Sequence, residues 1–115
     1  MRPDAEEILS LILARLDEMK AEDTLTIDLR DKSSIGDYMV IASGRSQRHV
    51  GSVADRVVED LDKVGIAARV EGVPHCDWVL IDAVDVIVHV FRPEVRAFYN
   101  LEKMWLGSRP VRRAS

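Results

Sequence analysis

The run CDWVLIDAVDVIVHVFR at 76–92 gathers three aspartates (Asp77, Asp82, Asp85), a cysteine and a histidine in an otherwise apolar segment. Such residues hold metals, relay protons or attack carbonyls when they converge. Their spacing argues against convergence here. His75, Cys76 and Asp77 are consecutive, and in an extended chain His75 and Cys76 point to opposite sides. A zinc site draws on ligands in spaced pairs such as Cys-x-x-Cys, whereas this chain has one cysteine, Cys76, and scattered histidines at 49, 75 and 89. No metal or other cofactor is expected. Nucleophilic catalysis needs Ser or Cys beside a base and an orienting acid, and SGRS at 43–46 is not a G-x-S-x-G elbow.

SGRSQRH at 43–49 carries a different chemistry. A Gly-Ser turn feeding a helix N-terminus, with Arg45 and Arg48 near, can hold an anion. Nucleotidyltransferases use such a turn, but they also need closely spaced carboxylates for Mg²⁺, usually Asp-x-Asp or Asp-x-Glu shortly after it. That interval is here a helix, and Asp55 is its only acid near the required distance. DLD at 60–62 lies on the same helix and DLRD at 28–31 precedes the turn. The carboxylates are not where the transfer would need them. A residual nucleotide-binding enzyme built on Ser43, Gly44, Arg45 and Ser46 stays as an alternative, and Ser46 is better explained as a helix N-cap.

The elements that would position these residues follow from periodicity. In PDAEEILSLILARLDEMK, Ile8, Leu9, Ile12, Leu16 and Met19 recur at helical spacing, and Pro3, Asp4, Glu6 and Glu7 suit a helix start. TLTIDL alternates as a half-buried strand with Leu25, Ile27 and Leu29 on one side, and YMVIAS is a continuous apolar strand. A helix over 46–64 places Val50, Val53, Ala54, Val57, Leu61 and Val64 at spacings of three and four, and Gly65 stops it. A short strand is predicted around Ile66 to Val70. Asp82-Ala83-Val84-Asp85 then reverses the chain; pairing Asp82 with Asp85 sets Leu80 against Ile87 and Trp78 against His89. Ala-Val is a poor choice for such a tight turn. Val79, Ile81, Val86, Val88 and Val90 form one face of this hairpin; Trp78, Leu80, Ile87, His89 and Phe91 form the other, which is either a second core layer or partly open to a partner. Asp82 and Asp85, opposed across the turn, repel each other mildly and are read as solvated. RPEVRAFYNLEKMW closes the chain as a helix with Phe98, Leu101 and Trp105 on its buried stripe and Tyr99 beside it. The order α-β-β-α-β-β-β-α predicts one α/β domain with a mixed sheet of about five strands, because the last three strands are too close together for helical crossovers.

The 115 residues suit one domain, over 1–106, followed by a basic and disordered tail at 107–115. Net charge is −4, and setting aside Arg109, Arg112 and Arg113 leaves 13 basic against 20 acidic residues. Such a body repels phosphates and attracts basic protein surfaces, which argues against direct sequence-specific nucleic acid binding. No stretch approaches the roughly 20 apolar residues of a membrane span, the N-terminus does not resemble a secretory signal, and a lone cysteine fits a reducing compartment, so a cytoplasmic protein is expected.

DYMVIASGRSQRHV, EG, DWVLIDAVDVIVHVF and RAFYNLEKMW, in this order from about Asp23 to Trp105, resemble the ribosomal silencing factor (RsfS or Iojap-like) family. The resemblance implies a fold related to nucleotidyltransferases without their activity. It also implies binding to the large ribosomal subunit through universal ribosomal protein fourteen. A domain seated there blocks joining of the small subunit and lowers translation when nutrients are scarce; organellar relatives act in ribosome assembly. Carried over by motif position, the partner surface comprises Trp78, Leu80, Asp82, Tyr99 and Glu102, with His89, Arg96 and Trp105 as further candidates. A homodimer off the ribosome is left open. The sequence departs from the family pattern at Val84, where the hairpin turn usually has a Gly.

Overall fold

The computed structural model describes residues 3–31, 36–73 and 75–99, the last three as backbone only. The basic tail therefore lies outside the described residues. Helix α1 spans Ala5–Glu18 and opens on a reciprocal cap: the Asp4 carboxylate accepts from the Glu7 N–H at 2.9 Å, and the Glu7 carboxylate accepts from the Asp4 N–H at 3.0 Å. Strands β1 (Glu22–Asp28) and β2 (Tyr38–Ser43) follow, then helix α2 (Gln47–Lys63), strands β3 (Arg69–Glu71), β4 (Trp78–Asp82) and β5 (Val86–Phe91), and helix α3 (Pro93–Tyr99).

The strands form one mixed sheet in the order β1-β2-β5-β4-β3. All neighbours are antiparallel except β2 and β5, which run parallel in register from Tyr38↔Val86 to Ser43↔Phe91. This explains why those two strands read as nearly continuous apolar runs, with His89 in β5 and Ser43 at the end of β2 as the polar exceptions. A central strand covered on both faces has no solvent side on which to alternate polar residues, and all six residues of each are buried. One face packs on α1 and α2, where Val40, Val88 and Val90 meet Ile8, Val53 and Leu61. The other face holds a smaller cluster of Leu25, Ile27, Leu29, Met39, Ile41 and Phe91, with Trp78 and Val95 at its margin.

The end of α2 moves one predicted boundary. Gly65, at φ +87, donates its N–H to the Asp62 carbonyl, and Ile66 donates to the Leu61 carbonyl at 2.9 Å. Ile66 thus closes the helix as the second residue of a Schellman motif instead of opening a strand, so β3 starts at Arg69. The same motif ends α1, where Lys20 N–H bonds the Asp17 carbonyl and Ala21 N–H the Leu16 carbonyl, but the left-handed position is held by Lys20 at φ 63. The two helices are joined by an ion pair between Arg15 and Asp60, the latter 6% exposed.

Two glycine effects test this backbone. Replacing Lys20 or Val84 (φ 72) by Gly should raise stability by about 1 kcal/mol each, because both residues occupy the left-handed region. Gly72 sits at φ +90, and a Cβ there would lie 2.1 Å from the Trp78 carbonyl oxygen, so Gly72→Ala should destabilise by about 3 kcal/mol or more. Chemical denaturation midpoints measure all three.

Candidate functional site

The β4–β5 hairpin turns one residue later than the sequence indicates, and its register is corrected by this shift. Trp78 pairs with Phe91, Leu80 with His89 and Asp82 with Ile87. The expected pairing of Trp78 with His89 and Leu80 with Ile87 is displaced by two residues, because the loop consists of Val84 and Asp85 instead of Ala83 and Val84. Ala83 N–H donates to the Val86 carbonyl and Asp85 N–H to the Ala83 carbonyl, both at 2.9 Å. The second bond forms a three-residue turn about Val84, in the positive-φ form rarely adopted by a β-branched residue. Asp82 supports it, its carboxylate accepting the Val84 N–H at 2.9 Å. The side-chain period is two, so a slip of two leaves both predicted faces intact.

Those faces have different fates. Val79, Ile81, Val86, Val88 and Val90 are all fully buried beneath the helices. On the other face Phe91 is fully buried, His89 is 7% and Ile87 8% exposed, whereas Trp78, Leu80 and Asp82 are half-buried. The sheet's second face is therefore closed over β2 and β5 and opens over β4. Of the alternatives raised by the sequence, it is core at one end and accessible at the other. Arg69 and Glu71 of β3 lie opposite Asp82 and Leu80, and both are exposed.

His89 connects the closed and open parts. The Trp78 indole N–H donates to His89 Nδ1 at 2.9 Å across the diagonal of the ladder, and the two rings are 5.8 Å apart. Phe91 lies 4.9 Å from the Trp78 ring and stacks at 9° on His89. Burial lowers the His89 pKa to about 4, since a charged imidazole would lose its hydration there. The neutral ring, accepting at Nδ1, carries its proton on Nε2.

The open end of the hairpin is tied to its surroundings. Asp77 accepts from Gln47 Nε2 at 3.0 Å and lies 2.9 Å from Arg92 Nε; its carbonyl accepts the Arg92 N–H at 3.0 Å. Arg96, on α3, donates from Nη1 to the Asp23 carbonyl at 2.7 Å and to Ser43 Oγ at 2.9 Å, fastening α3 over the β1–β2 end of the sheet. Of the other candidates, the Tyr99 side chain, Glu102 and Trp105 lie outside the described residues. Asp82, Leu80 and Trp78 are brought together on one surface, and His89 lies buried beside Trp78 as its hydrogen-bond partner.

The anion-binding reading of 43–49 meets a different geometry. A Cβ on Gly44 would come within 2.7 Å of Val50 Cγ2 and 3.0 Å of Val50 N, so this glycine lets β2 close tightly on the first turn of α2. Ser46 Oγ caps the helix by accepting the His49 N–H at 3.1 Å. His49 Nδ1 accepts the Arg45 N–H at 2.9 Å and its Nε2 donates to the Met19 carbonyl at 2.8 Å, clamping the end of α1 to the start of α2. Asp60 is paired with Arg15 and Asp28 with Arg30. The Cys76 thiol donates to the Val73 carbonyl at 2.7 Å, and burial pushes its pKa up, which suppresses the thiolate. Among the described residues no three His, Cys, Asp or Glu side chains are grouped to hold a metal ion, and no helix is long and apolar enough to cross a membrane.

Comparison with known proteins gives a consistent picture. Residues 2–114 match the family model described as ribosomal silencing factor during starvation. A ribosomal silencing factor RsfS from Zymomonas mobilis is 52% identical over 103 residues, covering 89% of this chain and 77% of that protein. A crystal structure of a Chromobacterium violaceum protein superposes with a TM-score of 0.88 at 34% identity, covering 98% of this chain and 94% of that one. The mouse protein named mitochondrial assembly of ribosomal large subunit protein 1 is 28% identical over 84% of this chain, which spans 44% of its length.

The buried imidazole predicts a pH dependence. The His89 pKa falls from 6.5 to about 4 on folding, so between those values the unfolded chain binds the extra proton. Stability from this group is complete above pH 6.5 and is lost as pH falls toward 4, by roughly 3 kcal/mol in all. Denaturation curves of the protein and of His89→Gln, measured from pH 7 to pH 4.5, should converge in that interval; parallel curves would refute the assignment.

Proposed function

The chain belongs to the ribosomal silencing factor family, and from that premise we propose that it binds the large ribosomal subunit and prevents the small subunit from joining it. The observation that carries the reading is the open part of the sheet. Trp78, Leu80 and Asp82 lie half-buried in alternate positions of one strand, on a base of fully buried Phe91 and nearly buried His89. A tryptophan and a leucine beside a carboxylate, held on a strand, combine apolar anchors with a polar group that fixes orientation. The aspartate meets basic groups, and the acidic chain, at net charge −4, is drawn toward the basic proteins of a ribosome. The family resemblance assigns the partner as universal ribosomal protein fourteen and extends the surface to Tyr99, Glu102 and Trp105. Arg96 supports that surface by holding α3 to β1 and β2.

Inhibition is steric. A domain of this size on the joining surface excludes the other subunit, and no bond is made or broken, so the protein acts as a binding module without enzymatic activity, in the cytoplasm where its ribosomes are. A second reading, assistance in assembly of the large subunit through the same contact, is favoured by the name of the mouse relative. The two differ in timing: deletion leads to immature large subunits in the assembly reading and to excess joined ribosomes during starvation in the silencing reading.

Trp78→Ala and Tyr99→Ala should each weaken capture of purified large subunits by about 2 kcal/mol, roughly thirtyfold, as for hot-spot residues. Co-sedimentation with separated subunits reads this directly. Folded variants that sediment as the parent protein does would remove these residues from the contact.

A further inference from the structure

The buried imidazole in β5 has a role that packing alone does not supply. His89 is 7% exposed, so it offers a partner little area of its own. It is nevertheless the hydrogen-bond acceptor of the most prominent side chain on the open face, with Trp78 Nε1 at 2.9 Å from its Nδ1. We propose that His89 is a positioning residue for partner binding: it holds the Trp78 indole in its docking orientation before the partner arrives and satisfies the indole N–H from within the sheet. The proposal rests on Trp78 being an anchor of the docking surface, as proposed above.

The chemistry follows from the two side chains. An indole nitrogen is a donor only, so a tryptophan covered by a partner must find an acceptor or leave its N–H unpaired. Here the acceptor is intramolecular, and the partner pocket that receives Trp78 can be wholly apolar. The rings behind it restrict the same side chain. Phe91 lies opposite at 4.9 Å and 31°, and His89 sits on the diagonal at 5.8 Å and 40°, itself stacked on Phe91. An accessible tryptophan on an exposed strand samples several rotamers and must be ordered on binding. One bonded to a histidine fixed in the central strand is ordered in advance. A histidine in an otherwise apolar buried strand is then accounted for by the surface it serves.

The test combines binding with a signal from the indole itself. His89→Phe fills the same space without an acceptor, His89→Gln keeps an acceptor, and Trp78→Phe keeps a ring without the donor. His89→Phe should lower affinity for purified large subunits about fivefold, the effect of one side chain left free to reorient. His89→Gln should recover most of that loss, and in the Trp78→Phe background His89→Phe should change affinity less than twofold. In the free protein, the indole N–H resonance that disappears in Trp78→Phe should exchange faster with solvent in His89→Phe and stay protected in His89→Gln. An equal loss of affinity in both backgrounds would reduce His89 to a structural residue and overturn the proposal. So would a folded His89→Phe protein with a freed indole N–H and unchanged binding. If Trp78→Ala itself binds as the parent does, the docking assignment fails first, and this distinguishes the two failures.

Discussion

The burial of β5 on both faces is the constraint on which the rest of the structure depends. Its parallel partner β2 and antiparallel partner β4 flank it on both edges, while its side chains close two separate apolar layers. Val86, Val88 and Val90 belong to the helix-covered core, and Phe91 belongs to the smaller cluster behind the sheet. A strand in that position tolerates a polar side chain only when it is hydrogen-bonded, and His89 meets the condition by accepting from Trp78. The cost of burying an imidazole is thereby converted into order at the edge of the open surface. Core and candidate site are the two sides of one strand pair.

The surface stays open over β4 because of where cover is fixed. Arg96 anchors α3 toward Asp23 and Ser43, at the β1–β2 side, and Val95 packs on the cluster there. Across the sheet, β3 contributes three residues, of which Arg69 and Glu71 are exposed. A short charged strand resists pairing with another chain while leaving its neighbour accessible. Gly72 permits the close approach of the β3–β4 connection to the Trp78 carbonyl, and Asp77, Gln47 and Arg92 hold the base of β4 to α2 and to the end of β5. The strand that carries Trp78, Leu80 and Asp82 is therefore fixed at both ends and on one face.

The loop at 43–49 shows how a motif changes meaning under packing. Glycine, two serines and nearby arginines suit an anion as well as they suit a strand-to-helix junction. The distance from Gly44 to Val50 and the bonds made by Ser46 and His49 use that chemistry within the protein. Two of the acids considered for a transferase site are similarly occupied, Asp60 with Arg15 and Asp28 with Arg30.

Element order, strand count, the two faces of the hairpin and the caps at Ser46 and Gly65 were legible in the sequence, because each depends on a local period or on residues a few positions apart. The faces stayed correct even where the register did not, since a slip of two residues leaves a period-two pattern unchanged. The register itself required the tertiary structure: a valine with positive φ at 84 is a strained choice that no propensity indicates, and it is held by the Asp82 carboxylate and the sheet on either side. The pairing of Arg15 with Asp60 and of Arg96 with Ser43 was likewise invisible, because it depends on how distant segments pack, and the sequence set Trp78 near His89 without indicating the diagonal hydrogen bond between them. The chain by itself determined which residues could face a partner. Only the tertiary packing decided which of them stay accessible, since exposure is a property of what the rest of the fold leaves uncovered.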